Sequence, residues 1–457
     1  MNQTLNLGTD KISKLLLAFS VPSIISWVLN ALYNMVDQIF IGNGVGYLGN
    51  GATNVIFPLT QLAIAIGLMI GDGTASYVNL KLGVHEQERA EKGMAGGLLA
   101  LLTASIVLSV VLSIFLEPLC HVFGATEAIL PYAMDYGRII VAGTCVNVFS
   151  WGAMSMVRAD GSPRIAMVSM LAGFVINMIG DPLTIFVFHW GVKGAAIATV
   201  TGQLVSSLIC VWYFICKNQS VQLKKSSFSG CRSYIPRLCK MGTSSLVTQL
   251  AIVCVLFFQN NLLVKYGAMS KYGAEIPLTA LGVTMKVFTL LLNAITGLSS
   301  GAQPIISYNY GSQAYSRVKT VLKMLLTIAF TIMLIATIWF QLAPMSIIQI
   351  FGSSDALYNE FSVKCLKIFL LLITLDSFQM VGSSYLQSVG KAGSAAVLVM
   401  FRQIIVQIPA MLILGKIFGI DGILYAGPVS SLFVGIMAII FLLRNWKEMS
   451  RASANVN

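Results

Sequence analysis

Four side chains in the first half of the chain are of types that could hold one small cation between them: Asp37, Asn177, Asp181 and Thr199. Asn177 and Asp181 lie in the apolar stretch FVINMIGDPLTIF, residues 174–186, four positions apart and so on one face of a helix. Pro182 follows directly; its ring removes a backbone donor and frees a carbonyl near Met178. A carboxylate at membrane depth costs about 2.5–3.5 kcal/mol on insertion scales and is functional by default. Asp-Pro can also mark a helix end, but apolar sequence continues here to Phe188. Asp37 lies in LNALYNMVDQIFIG, with Tyr33 and Asn30 four and seven positions earlier on the same helical face. Thr199 comes just after the WGVKG turn that returns the chain beside the Asp181 segment. Two carboxyls close together in low dielectric cannot both stay ionised cheaply, so the pair is a proton carrier. The same oxygens suit Na⁺, a hard cation that takes carboxylate, amide, hydroxyl and carbonyl ligands.

Such residues need helices to carry them. The chain has 457 residues, 56% hydrophobic and 10% charged, with a mean hydropathy of +0.82. A soluble domain would be roughly 25% charged, so this is an integral membrane protein. The apolar runs are long enough for helices of about 20 residues and exclude a barrel of short alternating strands. Twelve spans are expected, near 15–42, 52–79, 94–116, 131–154, 165–189, 194–216, 242–266, 277–304, 320–343, 361–386, 395–417 and 422–443. Tyr136 opens the fourth.

The net charge of +12 needs no nucleic acid to explain it. Lys and Arg cluster at the N-terminus, in the 2–3, 4–5 and 8–9 loops, in the stretch Lys217–Lys240 and in the tail. That puts both termini in the cytoplasm. On this reading Arg158 and Arg164 are 4–5 loop charges, and Asp72 and Arg89 fix a loop. The eight cysteines are scattered and read as small buried hydrophobes. The histidines His85, His121 and His189 are too dispersed for a metal site.

The polar stretch 217–240 divides the chain into a first six-helix lobe (1–216) and a second lobe with its tail (241–457). The halves repeat: Gly73 matches Gly301, Gly83 matches Gly311 and Arg89 matches Arg317; further on Gly161 matches Gly390 and Gly194 matches Gly422. Both halves begin and end on one side, so the repeat is parallel and suits two lobes rocking about a central cavity. Asn177 and Asp181 have no polar counterparts around Ile405–Pro409, which concentrates the coupling chemistry in the first lobe. Asp376 is the second lobe's acid, a contact for substrate or a second ion, or a packing partner of Arg402 or Gln403. Gln249, Tyr33 and Met178 are further substrate-contact candidates. Two motifs of membrane-embedded enzymes are lacking: there is no HExxH and there are no paired histidines in the spans.

The chain resembles the multidrug and toxic compound extrusion (MATE) family, in a prokaryotic branch near DinF. The likeness rests on FSVPSII, NMVDQIFIG, GDGTASYVNLKLG with its repeat at 301–311, YGRI at Tyr136–Ile139, RADGSP, NMIGDP and GVKGAAIAT. It implies two six-helix bundles around a V-shaped cleft. It also implies export of cationic or amphipathic organic compounds in exchange for H⁺ or Na⁺, by a monomer in the bacterial inner membrane among its lipids. No cofactor is expected beyond the coupling ion. The matching first-lobe positions are Asp37, Tyr136, Asn177, Asp181 and Thr199. Where some relatives place a glutamate in span 7 this chain has Gln249, and Asp376 matches the acid some members carry in span 10. The alternative is a lipid-linked oligosaccharide flippase of the same superfamily, which would need a cationic cavity.

Overall fold

The computed structural model describes residues 6–45, 47–123, 125, 127, 129–273, 275–351 and 356–454. The first five residues and the last three of the tail lie outside that set. Helices follow one another along the chain: α1 Ile12–Gly44, α2 Tyr47–Gly83, α3 Gln87–Ile114, α4 Leu116–Val122, α5 Leu130–Ala142, α6 Thr144–Ala159, α7 Pro163–Pro182, α8 Gly191–Cys216 and α9 Ile235–Met241. The second half continues with α10 Thr243–Ala268, α11 Glu275–Gly311, α12 Tyr315–Leu342, α13 Pro344–Phe351, α14 Ala356–Lys364, α15 Ile373–Ser388, α16 Ala392–Met400, α17 Ile408–Phe418 and α18 Ile420–Ala454. No strand occurs among the described residues, as expected of a chain whose backbone must satisfy itself in lipid.

Among the described residues ten helical segments are long and apolar enough to cross a membrane, and the pair α5 and α6, bent by 50° at Gly143, makes an eleventh if it is one span. The bend brings Gly143 so close to α8 that a methyl there would lie 2.3 Å from Val200. The segment expected at 361–386 is interrupted: α14 passes into a wide π turn, Cys365–Phe369, before α15 begins. Two further π segments, Leu183–Val187 after Pro182 and Phe401–Gln407 just before Pro409, lie beside prolines. Each proline lacks the N–H that would close the regular helical turn.

α1 belongs to both halves. Its start, Leu15, Leu16 and Phe19, is buried in a core built from α10 to α18. Its end, Ile41, joins a core shared by α2, α3, α5 and α8. Small residues make the crossing possible: a methyl on Gly301 of α11 would lie 2.5 Å from Ser20 Cα, and Ser20 Oγ donates to Leu298 O at 3.0 Å. The repeat is visible in the packing. Gly83 and Gly311, matched in the sequence, stand back to back. A methyl on Gly83 would lie 2.2 Å from Tyr308 O, and one on Gly311 would lie 2.3 Å from Leu80 O.

The stretch read as a polar linker, 217–240, is folded. Asp160, just after α6, accepts the backbone N–H of Gln219 at 2.9 Å, Ser220 at 3.1 Å and Val221 at 2.9 Å, and the hydroxyl of Tyr213 at 2.7 Å. Short 3₁₀ turns follow at Lys225–Phe228 and Cys231–Tyr234, and Leu238 of α9 is fully buried. The polar composition hid this because the burial comes from a few apolar residues and one carboxylate hub.

Arg158 corrects another expectation. It is buried, not a loop charge, and its Nη2 donates to Ser155 Oγ at 2.7 Å. Nor does Asp72 fix a loop: it lies within α2 and accepts Ser245 Oγ of α10 at 2.7 Å. Arg89 does hold a turn, donating to both oxygens of Glu86, which Lys81 also contacts at 2.6 Å. These two cations hold the Glu86 carboxyl below its ordinary range.

Candidate cation-binding site

Helices α7 and α8 form a tight antiparallel pair. Gly173 and Gly202 meet backbone to backbone: a methyl on either would lie 2.7 Å or less from the other's carbonyl oxygen. That close approach lets the short side chains of the two helices reach each other further along. Asn177 Nδ2 donates to Asp181 Oδ1 at 3.1 Å on its own helix and to Thr199 Oγ1 at 3.3 Å across the pair. All three are buried: Asn177 is 3% exposed, Asp181 0% and Thr199 7%.

α1 completes the group. The Asp37 carboxyl lies within hydrogen-bonding reach of the Asp181 carboxyl. One turn earlier Tyr33 donates its hydroxyl to Thr199 Oγ1 at 3.2 Å, and its ring meets Phe174 edge-on at 6.3 Å. Tyr136 of α5 is buried nearby, within electrostatic range of Asp37, Tyr33 and Asp181.

Two oxygens of this cluster, Asp37 Oδ1 and Asp181 Oδ2, are buried with no hydrogen-bond partner. Buried carboxylate oxygens without a partner are unfavourable unless a proton or a cation satisfies them. Thr199 Oγ1 adds a hydroxyl oxygen, and the Asn177 amide fixes which Asp181 oxygen is left over. The structure thus brings together Asp37, Asn177, Asp181, Thr199, Tyr33 and Tyr136 from four helices, α1, α5, α7 and α8.

The other candidates lie elsewhere. Met178 turns away from the cluster and is 44% exposed. Gln249 is half-buried on α10, one turn beyond Ser245. Asp376, 1% exposed, is engaged by Arg402 Nη2 at 2.8 Å. The polar chain from Asp72 through Ser245 to Gln387 had no signal in the sequence, because serines and glutamines near helix ends are common. Gln387 Nε2 donates to Ser245 Oγ at 2.9 Å, while Ser244 Oγ donates to Gln387 Oε1 at 2.9 Å.

Long apolar helices in an internal repeat, with a buried acid cluster at the meeting of α1, α7 and α8, define a multi-span membrane transporter. The model of the MatE family matches residues 22–183 and 245–413, well over half of the chain, and the chain belongs to that family. Multidrug export protein MepA of Staphylococcus haemolyticus is 25% identical over 452 residues, which span 97% of this chain and 96% of that protein. MepA of a Staphylococcus aureus strain is 23% identical over 444 residues, 94% of each chain. Among solved structures, an outward-facing multidrug resistance MATE transporter of the MOP superfamily is similar with a TM-score of 0.91 at 22% identity over 99% of each chain. A MOP-superfamily transporter from Pyrococcus furiosus, described as having a binding pocket of reversed polarity, is similar with a TM-score of 0.90 at 22% identity, covering 98% of this chain and 99% of that one. These structural likenesses establish the MATE fold.

Proposed function

We propose that the chain is a multidrug efflux antiporter of the bacterial inner membrane, working as a monomer with both termini in the cytoplasm. It exports cationic or amphipathic organic compounds in exchange for H⁺ or Na⁺. The observation that carries this reading is the Asp37–Asp181 pair with its two unpartnered oxygens, beside Asn177, which holds the other Asp181 oxygen, and Thr199, which holds Asn177. The names of the MepA relatives support drug export.

In the outward state the pair takes up H⁺ or Na⁺, with Tyr136 and Tyr33 screening it from lipid and water. Binding removes negative charge from the wall shared by α1 and α7, and bending of α1 releases the bound organic cation outward. The ion-loaded carrier, now free of cargo, turns inward, loses the ion to the cytoplasm and takes new cargo. One charge crossing 100 mV carries about 2.3 kcal/mol, enough for roughly a fiftyfold gradient. Resistance of a drug-sensitive strain expressing the chain tests this: Asp37→Asn and Asp181→Asn should each return the cells to sensitivity. Unchanged resistance in both would refute it.

A further inference from the structure

The two halves hold their buried acids in opposite ways, and the difference traces to two matched positions. Helices α6 and α15 correspond in the repeat and have equal length, Thr144–Ala159 and Ile373–Ser388. Asn147 and Asp376 both stand fourth in them. Helices α7 and α16 also begin at matched places, Pro163 and Ala392. Counting on, Gly173 and Arg402 both stand eleventh, Arg402 falling in the π segment that continues α16. So the second half has an acid and a guanidinium where the first has an amide and a glycine.

The first half has no room for such a cation: a methyl on Gly173 would already lie 2.3 Å from Ser206 Oγ. In the second half the wide π turn aims Arg402 at Asp376. Its Nη2 lies 2.8 Å from Asp376 Oδ2 and its Nη1 lies 3.3 Å from Gln379 Oε1. The guanidinium also lies 6.0 Å from the Phe288 ring centre, and the Ser431 hydroxyl is within bonding reach of the acid. The side chains of Asp376 and Arg402 are 1% and 12% exposed. Asp376 Oδ1 and Arg402 Nε are each left without a partner, so the pair is matched in unfilled groups as well as in charge.

We infer that Arg402 is a tethered cation that occupies the second-half acid site, so that Asp376 carries no mobile ion and the exchanged ion is confined to Asp37 and Asp181. Arg402 is then the residue that sets how many ions the carrier moves. This rests on the ion-coupling reading of the first half. A pair that only held helices together would leave the ion count unaltered when removed. A pair that excludes an ion leaves, after loss of the guanidinium, a buried carboxyl that must find a proton or Na⁺ instead.

The test counts cations bound to the purified full chain in lipid nanodiscs, by ²²Na⁺ binding and by proton uptake after a pH jump. Arg402→Gln should bind one more cation per chain than wild type, and Asp376→Asn/Arg402→Gln should return to the wild-type count. Arg402→Gln at the wild-type count, or the double variant below it, would overturn the inference. Should Arg402→Gln fail to fold, Arg402→Ala, which keeps Asp376 and likewise removes the guanidinium, is counted in its place: one cation more than wild type supports the inference and the wild-type count contradicts it. A wild-type count of zero would strike the antiport reading instead. Even then an Asp376-dependent gain in Arg402→Gln would uphold the role of Arg402, and no gain would end it.

Discussion

Ser245 of α10 donates its hydroxyl to Asp72 Oδ2 of α2 at 2.7 Å, and this bond ties the first half of the chain to the second. Gln303 of α11 adds a second tie, its Nε2 donating to Ser76 Oγ at 2.8 Å and to Asp72 O at 3.2 Å. Arg158 lies within electrostatic range of Asp72 and offsets its charge. A hydrogen bond to a charged group contributes about 1.5–3 kcal/mol, which is roughly a ten- to hundredfold population ratio.

Ser245→Ala should therefore loosen this end of the molecule. Spin labels at the exposed positions Glu88 and Ser316 report the separation of the halves there. The long-distance population is expected to grow by about tenfold or more. A distance distribution identical to wild type would show that the bond does not hold the halves closed.

The Asp160 hub predicts a stability effect rather than a transport effect. Its carboxylate accepts three backbone N–H groups and one phenol. Asp160→Ala orphans the three backbone donors and leaves the Tyr213 hydroxyl only Ser162 Oγ, at 2.9 Å, at about 1–3 kcal/mol for each orphaned donor that stays buried. Thermal unfolding in detergent should fall by several degrees, and amide exchange of residues 219–221 should accelerate. An unaltered melting curve with unaltered exchange would contradict this account of the segment.

The back-to-back glycines predict a steric effect. Gly83→Ala places a methyl 2.2 Å from Tyr308 O, a contact that only backbone movement can relieve. The variant should be less stable, or its halves should part at this end in the same label experiment. Wild-type stability together with a wild-type distance distribution would mean that α2 and α11 do not meet as described.

Thr199→Val keeps the shape of the side chain and removes the oxygen that both Tyr33 and Asn177 use. Loss of two hydrogen bonds of about 0.5–1.5 kcal/mol each should raise the half-saturating concentration of the coupling ion roughly five- to hundredfold. Maximal transport should change less. An unchanged ion dependence would remove Thr199 from the site.

Much of the molecule was legible in the sequence for a physical reason. Membrane burial forces long apolar runs and makes each buried acid conspicuous, so Asp37, Asp181 and Asp376 stood out against their surroundings. The spacing of Asn177 and Asp181 put them on one face, and the structure joins them by a hydrogen bond. The Gly83–Gly311 match held because glycine marks places where backbones touch, and the Gly161–Gly390 match because both take a positive φ. What stayed hidden depended on partners remote in sequence. Arg158 looked like a loop cation because nothing local shows that it folds inward toward Ser155 and Asp72. The π turn before α15 broke a span that hydropathy alone reads as continuous. The meeting of Asp376 with Arg402 was one of the alternatives that the sequence left open, and the structure realises it.

Countertransport in proteoliposomes of purified protein tests the central claim most directly. An inwardly or outwardly directed pH or Na⁺ gradient is imposed separately, and movement of a lipophilic organic cation such as tetraphenylphosphonium is followed. The account predicts that one of the two gradients drives wild-type exchange, and that Asp37→Asn and Asp181→Asn each abolish the drive while the organic cation still binds. Gradient-driven exchange at the wild-type rate in both variants would contradict it.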